Sequence, residues 1–218
     1  MRLVLAFAAY LVVAMATGRA LGLGGEPVPI GPRLLAHGAG CAAFCLLALW
    51  LPPQARLWPA RGVLAAPGLY AAFLLFWVPV TLFGYTWLLA QLRVAFPPQP
   101  HLAYFAGLTL DSWPSVGAWV TVVLIGPLAE ELAFRGYARD LFGHALGARA
   151  GLWLTAVLFG LFHGITFGLP LALLGWLFGA LRERYASLAP AFVAHALHNG
   201  LTVGITMAWP QILDQIYR

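Results

Sequence analysis

The sequence has little of the polar chemistry that soluble proteins carry on their surface. Only 9% of its 218 residues are charged, whereas about a quarter are charged in a soluble domain. It contains no lysine, three serines and two cysteines. The shortage of charge excludes a soluble globular domain, and two cysteines are too few for a secreted disulfide scaffold. The arginines are scattered between apolar runs, so they do not form the basic patch that binds nucleic acid.

Apolar residues make up 62% of the chain and are arranged in long runs. A membrane-spanning helix needs about 20 such residues. No segment alternates between polar and apolar residues as a barrel strand would, so we predict an all-α, polytopic membrane protein with about seven transmembrane helices. The runs cover residues 3–16, 34–51, 62–92, 116–130, 152–168, 169–181 and 188–209.

Two of these runs have unusual features. The first ends in a sequence at 14–16 that resembles a signal-peptide cleavage site, but the many later runs favour an uncleaved first helix. The third is about 30 residues long, which exceeds the thickness of a bilayer, and Pro79 is placed to kink it. We therefore expect the third run to be tilted, broken or protruding.

The arginines of the short loops predict the orientation. With the N-terminus inside, seven arginines lie on the inner side and four on the outer side, which favours a cytoplasmic N-terminus. The inner set is Arg2, Arg56, Arg61, Arg139, Arg149, Arg182 and Arg184, and the outer set is Arg19, Arg33, Arg93 and Arg218.

Ionisable side chains inside a span cost about 2.5–3.5 kcal/mol each and therefore mark candidate functional sites. Three polar islands pass this filter, on three different predicted helices. They contain Glu130, Glu131 and Arg135; His163, walled by Phe159 and Phe162; and His195, His198 and Asn199. A single island could hold helices together by hydrogen bonds. Two carboxylates, three imidazoles and an amide together exceed what helix packing needs.

The spacing and the residue types narrow the chemistry. Glu131 and Arg135 are four residues apart on one helix side, as are His195 and Asn199, whereas Glu130 is turned about 100° from Glu131. No serine lies in a G-x-S-x-G setting, every aspartate falls outside the runs, and there is no H-E-x-x-H helix. A carboxylate and an imidazole that act on water remain, with or without a metal ion.

These motifs resemble those of a known family. Glu130-Glu131-x-x-x-Arg135, Phe159-x-x-x-His163 and His195-x-x-x-Asn199 look like the three ordered motifs of the CAAX-protease and bacteriocin-processing (CPBP/Abi) family of intramembrane endopeptidases. The resemblance covers roughly residues 116–208, which would form the catalytic helix core. Residues 1–115 show a generic set of helices. We expect one transmembrane domain over residues 1–218.

The resemblance implies a role for each motif residue. Glu130 and His163 would activate the attacking water, and His195 and Asn199 would stabilise the oxyanion. Glu131 and Arg135 would support the first motif, and the role of His198 stays open. The substrate would be a membrane-associated protein or peptide, cut near the bilayer surface at a membrane anchor or C-terminal tail. The short loops resemble bacterial members, which implies an integral protein of a bacterial cell membrane.

Three alternatives stay open at this stage. Two carboxylates and the histidines could hold zinc with a position left for water, with Glu130, His163 and His195 as ligands. We expect no cofactor, because a base and an oxyanion hole use all the motif residues. The second alternative is a proton-coupled transporter, although the chain lacks the internal repeat that many transporters have. The third is a non-catalytic membrane scaffold or immunity protein.

Overall fold

The computed structural model describes residues 2–21, 29–55 and 60–217. Within these ranges the chain forms helices and no β-strand, which confirms the predicted all-α class. Arg56 and Arg218, which enter the arginine count, lie outside the described residues, as does the side chain of Arg2. The predicted orientation therefore stays a prediction.

We number the helices in chain order. They are α1 (Arg2–Ala20), α2 (Ile30–Trp50), α3 (Ala66–Gln91), α4 (Pro100–Phe105), α5 (Trp113–Leu146), α6 (Ala148–Phe162), α7 (Ile165–Tyr185), α8 (Ala189–Ala208) and α9 (Ile212–Ile216). Helix α3 contains one π-helical turn, Val80–Tyr85, and α5 contains two, Thr121–Ile125 and Leu132–Ala138. A π-helical turn pairs each N–H with the carbonyl five residues back and frequently marks a functional site.

Four helices, α2, α3, α5 and α7, are long and apolar enough to cross a membrane, and α1 and α6 are shorter apolar helices. The chain is therefore a polytopic membrane protein. Helix α8 is 20 residues long, but the polar residues His195, His198 and Asn199 make it less apolar than the other long helices. The count of seven spans stays a prediction, because three of the predicted spans correspond to α1, α6 and α8.

One predicted helix boundary is wrong. The sequence runs place a break between residues 168 and 169, with His163 inside a span. The structure ends α6 at Phe162, makes His163 the residue that follows it, and begins α7 at Ile165. Gly164 has a φ of +99°, a left-handed conformation that glycine adopts without a steric penalty. His163 therefore lies at a helix end, in a tight turn between two helices.

The described helices belong to two compact units, each built from separate stretches of chain. The first unit comprises Met1–Pro52, Pro98–Leu132 and Ala196–Leu213. Here α1 packs on α2, and α2 packs on the first part of α5. A Cβ atom on Gly38 would overlap Thr121, and one on Gly117 would lie 2.8 Å from Leu35. Because both positions increase together along the two helices, α2 and the first part of α5 run parallel.

The second unit comprises Pro53–Pro97, Ala133–His195 and Asp214–Arg218. Its centre is the antiparallel pair of α6 and α7, which the turn at His163 and Gly164 joins. A Cβ atom on Gly160 would overlap the carbonyl oxygen of Gly168, so the two backbones lie in direct contact near the turn. The buried side chains of this unit include Phe159, Leu174, Leu177 and Phe178.

Candidate active site

The two motif glutamates lie in α5 between its two π-helical turns, at the end of the stretch Gly126–Glu131. Glu131 is fully buried and Glu130 is half-buried. The first π-helical turn directly precedes the Gly126–Pro127 pair. The N–H of Gly126 bonds to the carbonyl of Thr121, five residues back. The next residue, Pro127, has no N–H, so the backbone cannot offer the corresponding bond to the Val122 carbonyl.

Asn199 of α8 fills that position. Its side-chain nitrogen Nδ2 donates to the carbonyl oxygen of Val122 at 2.8 Å. An amide group has two N–H donors, so this bond fixes the amide and leaves its second N–H for another acceptor. In the first unit, the structure therefore links Asn199 directly to the turn of α5 that precedes the glutamates. His198, the adjacent residue, accepts a bond from Thr202 through its backbone carbonyl, and its role stays open.

Arg135 is the largest fully buried side chain in the described part of the chain, and its surroundings lie in the second unit. Its Nη2 atom donates to the carbonyl oxygen of Gly175 at 2.9 Å. Its guanidinium carbon lies 4.2 Å from the centre of the Phe159 ring and 5.3 Å from that of Phe178. A guanidinium over aromatic faces gains cation–π attraction, which is strongest when water is excluded. The predicted pairing of Glu131 with Arg135 stays a prediction.

His163 is half-buried and has a defined tautomer. Its Nδ1 atom lies 2.8 Å from the carbonyl oxygen of Phe159. A carbonyl only accepts hydrogen bonds, so Nδ1 carries the proton, and in the neutral ring Nε2 is the nitrogen that bears the lone pair. The rings of Phe159 and Phe162 lie 4.8 and 5.8 Å from the His163 ring, which confirms that these two residues wall it. The Nε2 atom of a neutral imidazole in this tautomer is the atom that can take up a proton during general base catalysis.

His195 is buried and rests on the same aromatic cluster. It stacks on Phe178 with 4.7 Å between ring centres and meets the edge of Phe159 at 5.5 Å. The Phe159 ring therefore contacts Arg135, His163 and His195. The second unit brings these three predicted site residues together around one phenylalanine. His195 and Asn199 also share one side of α8, at the predicted four-residue spacing.

Sequence reasoning missed the two α7 residues that complete this cluster. Gly175 accepts the bond from Arg135, and an added Cβ there would lie 3.0 to 3.1 Å from Phe159, Ala156 and Arg135. Phe178 supplies the ring under His195. A small residue in the middle of an apolar run is the only signal that the sequence offers for such a close approach.

A zinc ion would need ligating side chains from more than one motif. In the part of the chain that the structure describes, no group of three or more His, Cys, Asp or Glu side chains is arranged to hold a metal ion. Zinc needs about three protein ligands within roughly 2.0–2.3 Å, plus an open position for water. The zinc site predicted from Glu130, His163 and His195 stays a prediction, because Glu130 belongs to the first unit and the two histidines belong to the second.

Comparison with known proteins gives one finding. Residues 112–201 match the family model described as type II CAAX prenyl endopeptidase Rce1-like. This stretch of 90 residues contains all three motifs, and the match confirms the resemblance that the motifs predicted. Neither the search of curated proteins nor the search of solved structures gives a match.

Proposed function

We propose, from the match of residues 112–201 to the Rce1-like model of CAAX prenyl endopeptidases, that this membrane protein is an intramembrane endopeptidase in which a glutamate and a histidine activate water. The family indicates a CAAX-type protease. The mechanism and the substrate are our proposal. The observation that carries the mechanism is the tautomer of His163, whose Nδ1 proton is held by the Phe159 carbonyl.

In the proposed reaction, Glu130 and the Nε2 atom of His163 act as the base. A carboxylate in an apolar cavity is a better base than one in water. The oxygen of the activated water forms a bond to the carbonyl carbon of the peptide, and the displaced proton passes to the glutamate–histidine pair. The tetrahedral intermediate then collapses, the carbon–nitrogen bond breaks, and the same proton is delivered to the departing amine.

His195 and Asn199 are proposed to stabilise the oxyanion of the intermediate. Each can direct an N–H toward a developing negative charge, and one preorganised donor of this kind is worth about 2.7–4 kcal/mol. The bond from Asn199 to Val122 fixes the amide before substrate binds, which is what preorganisation requires. Glu131 and Arg135 are proposed to support the site, because both are fully buried.

The substrate is proposed to be a membrane-associated peptide cut close to the bilayer surface. Two probes separate the substrate classes: a prenylated peptide with a CAAX end, and an unprenylated peptide that carries a C-terminal membrane-spanning segment. Cleavage of the first alone would define a prenyl-dependent enzyme. Cleavage of the second would define a processor of membrane anchors or sorting tails.

The decisive variant is Glu130→Gln, assayed on the purified protein in detergent with both probes. We expect kcat/KM to fall by about 10³-fold, within the range for loss of a general base, while the folded fraction stays that of the wild type. Asp111→Asn is the matched control, because it removes an exposed carboxylate outside the motifs. Undiminished cleavage by Glu130→Gln would contradict the proposed role of Glu130.

Metal dependence is tested on the same sample. We expect cleavage to continue in the presence of a strong chelator, and mass spectrometry to find no stoichiometric metal in the active protein. Stoichiometric zinc together with chelator-sensitive cleavage would contradict the metal-independent mechanism. Cleavage of neither probe by the wild type would contradict the proposed endopeptidase.

A further inference from the structure

The first turn of α7 contains a carbonyl that the helix backbone cannot satisfy. Thr166 is the second residue of α7, and the residue four positions on is Pro170. Proline has no N–H, so Thr166 does not receive the usual helical hydrogen bond from that position. The hydroxyl of Tyr85 donates to the Thr166 carbonyl at 2.9 Å and takes its place. Tyr85 and Thr166 both belong to the second unit.

The position of Tyr85 follows from the geometry of α3. Tyr85 is the last residue of the π-helical turn Val80–Tyr85, which begins directly after Pro79. Two residues before Pro79, Trp77 donates from its indole nitrogen to the carbonyl of Pro170 at 2.8 Å. Helix α3 is otherwise apolar and mostly exposed. Trp77 and Tyr85 thus both donate to carbonyls near the beginning of α7.

The ring of Tyr85 belongs to a small aromatic cluster. Its ring meets Phe96 edge-on at 6.1 Å, and Phe96 in turn packs on Phe167 at 5.0 Å and on Tyr217 at 5.1 Å. Phe167 follows Thr166 directly in the chain. The Tyr85 hydroxyl thus bonds directly to the backbone of Thr166, and its ring is linked to the next residue, Phe167, through Phe96.

That stretch is continuous with the turn that carries His163. The N–H of Phe167 bonds to the carbonyl of Gly164, and the N–H of Gly164 bonds to the carbonyl of Leu161. Gly164 also holds the left-handed φ of +99°. Only two residues, Gly164 and Ile165, lie between His163 and Thr166, and backbone hydrogen bonds tie this stretch to the end of α6. The Thr166 carbonyl is therefore close along a hydrogen-bonded backbone to the residue that carries the imidazole.

We propose that Tyr85 is a positioning residue for His163. By bonding the carbonyl that Pro170 leaves open, Tyr85 fixes the turn between α6 and α7 and thereby the direction of the His163 Nε2 atom. This inference rests on the proposed function, because the direction of the His163 ring matters for the reaction only if that ring activates water. Tyr85 itself does not touch the reacting atoms.

The test is Tyr85→Phe, which keeps the ring and removes the donor. We expect kcat to fall by about tenfold with KM changed by less than about twofold, which is less than the ~10²-fold that a 1 Å misplacement can cost. Tyr217→Phe is the matched control, since it removes a hydroxyl from the same aromatic cluster without involving Thr166. Burial raises the pKa of Tyr217, so its hydroxyl stays protonated in the wild type over the assay range. An unchanged kcat in Tyr85→Phe would overturn the inference.

A second variant distinguishes positioning from general stabilisation. Pro170→Ala gives position 170 an N–H that can bond to the Thr166 carbonyl, so in the Tyr85→Phe background it should restore most of kcat. A structural role of the Tyr85 hydroxyl unrelated to Thr166 predicts no rescue, and absence of rescue would overturn the inference.

A measurement without substrate separates this inference from the proposed function. The ring nitrogen resonances of His163 in ¹⁵N-histidine-labelled protein, assigned by their loss in His163→Gln, should shift in Tyr85→Phe, return in the double variant and stay in place in Tyr217→Phe. This pattern supports the inference even if neither probe is cleaved, in which case the proposed function fails alone. Identical His163 resonances in all variants would overturn the inference even where the wild type cleaves.

Discussion

Helices α3 and α5 have the same sequence character and different environments. Both are long and apolar enough to cross a membrane, and both contain a proline and at least one π-helical turn. In α3, 11% of the apolar window is buried within the protein, against 44% in α5. Helix α3 has no charged residue. Helix α5 carries Glu130, Glu131 and Arg135, and two of these side chains are fully buried.

Apolarity alone therefore does not indicate which membrane helix carries the candidate catalytic residues. A lipid-exposed helix gives charged groups no partners, and α3 contains none. Two of its side chains, Trp77 and Tyr85, donate to backbone carbonyls of α7. In α5 the buried surface is large enough to surround charged groups. In each helix one π-helical turn lies close to a proline: Val80–Tyr85 follows Pro79, and Thr121–Ile125 precedes Pro127.

The largest expected difference between the helices concerns one buried and one exposed side chain. Arg135→Ala removes a bond to Gly175 and the packing of the guanidinium on Phe159. We expect a loss of about 3 kcal/mol in the free energy of unfolding, as for other buried charged partners. Phe83→Ala in α3 removes a 73% exposed side chain and should change this free energy by less than about 0.5 kcal/mol. Tryptophan fluorescence during denaturant unfolding in detergent measures both free energies of unfolding. Equal losses in the two variants would contradict the expected difference between α3 and α5.

Two glycines associated with π-helical turns provide a closer pair. A Cβ atom on Gly126 in α5 would lie 2.9 Å from the Thr121 carbonyl oxygen, which cannot move without disturbing the turn. Gly126→Ala should therefore cost about 1–2 kcal/mol of unfolding free energy. A Cβ atom on Gly84 in α3 meets nothing within 4 Å, so Gly84→Ala should gain about 0.5 kcal/mol by restricting the unfolded chain. If both variants change the free energy of unfolding in the same direction, the predicted difference between the two turns in accepting a Cβ atom is wrong.

A single hydrogen bond to α5 offers a further test, with an expected effect of about 1 kcal/mol. Asn199→Leu leaves the Val122 carbonyl without its side-chain donor and should lower the unfolding free energy by about 1 kcal/mol. Pro127→Ala supplies a backbone N–H next to that carbonyl, so Asn199→Leu should cost less in the Pro127→Ala background. A double-mutant cycle on thermal unfolding measures this coupling, and strict additivity would argue against the proline as the cause.

The sequence predicted the helical class, the membrane location and the aromatic walls of His163, because apolar runs and short-range spacing carry that information. It did not predict where α6 ends. Gly164 and Gly168 are equally able to end a helix by their residue type, and the structure uses Gly164 for the turn while Gly168 lies inside α7. The close contact between the backbones of α6 and α7 favours the turn at Gly164, and a local sequence pattern contains no information on that contact.

The partners of the site residues were also beyond sequence reasoning. Arg135 bonds to a backbone carbonyl 40 positions away, and Asn199 to one 77 positions away. Every residue has a backbone carbonyl, so the residue types at positions 175 and 122 do not indicate that these carbonyls accept a side-chain hydrogen bond. The prolines at 127 and 170 are the exception, because each removes an N–H and leaves a defined carbonyl open. The assignment of water activation and oxyanion stabilisation to individual residues stays a prediction.

The π-helical turns on both sides of the glutamate pair determine the direction in which α5 presents its carboxylates. Each π-helical turn holds one residue more than an α-helical turn would. If Thr121–Ile125 rewound into an ordinary α-helix with no residue deleted, Glu130 and Glu131 would rotate by about 100° relative to Gly117 and the other residues that face α2. Deleting one residue together with this rewinding would instead leave the carboxylates close to their present direction. A change of winding that alters no residue is therefore sufficient to misplace both carboxylates.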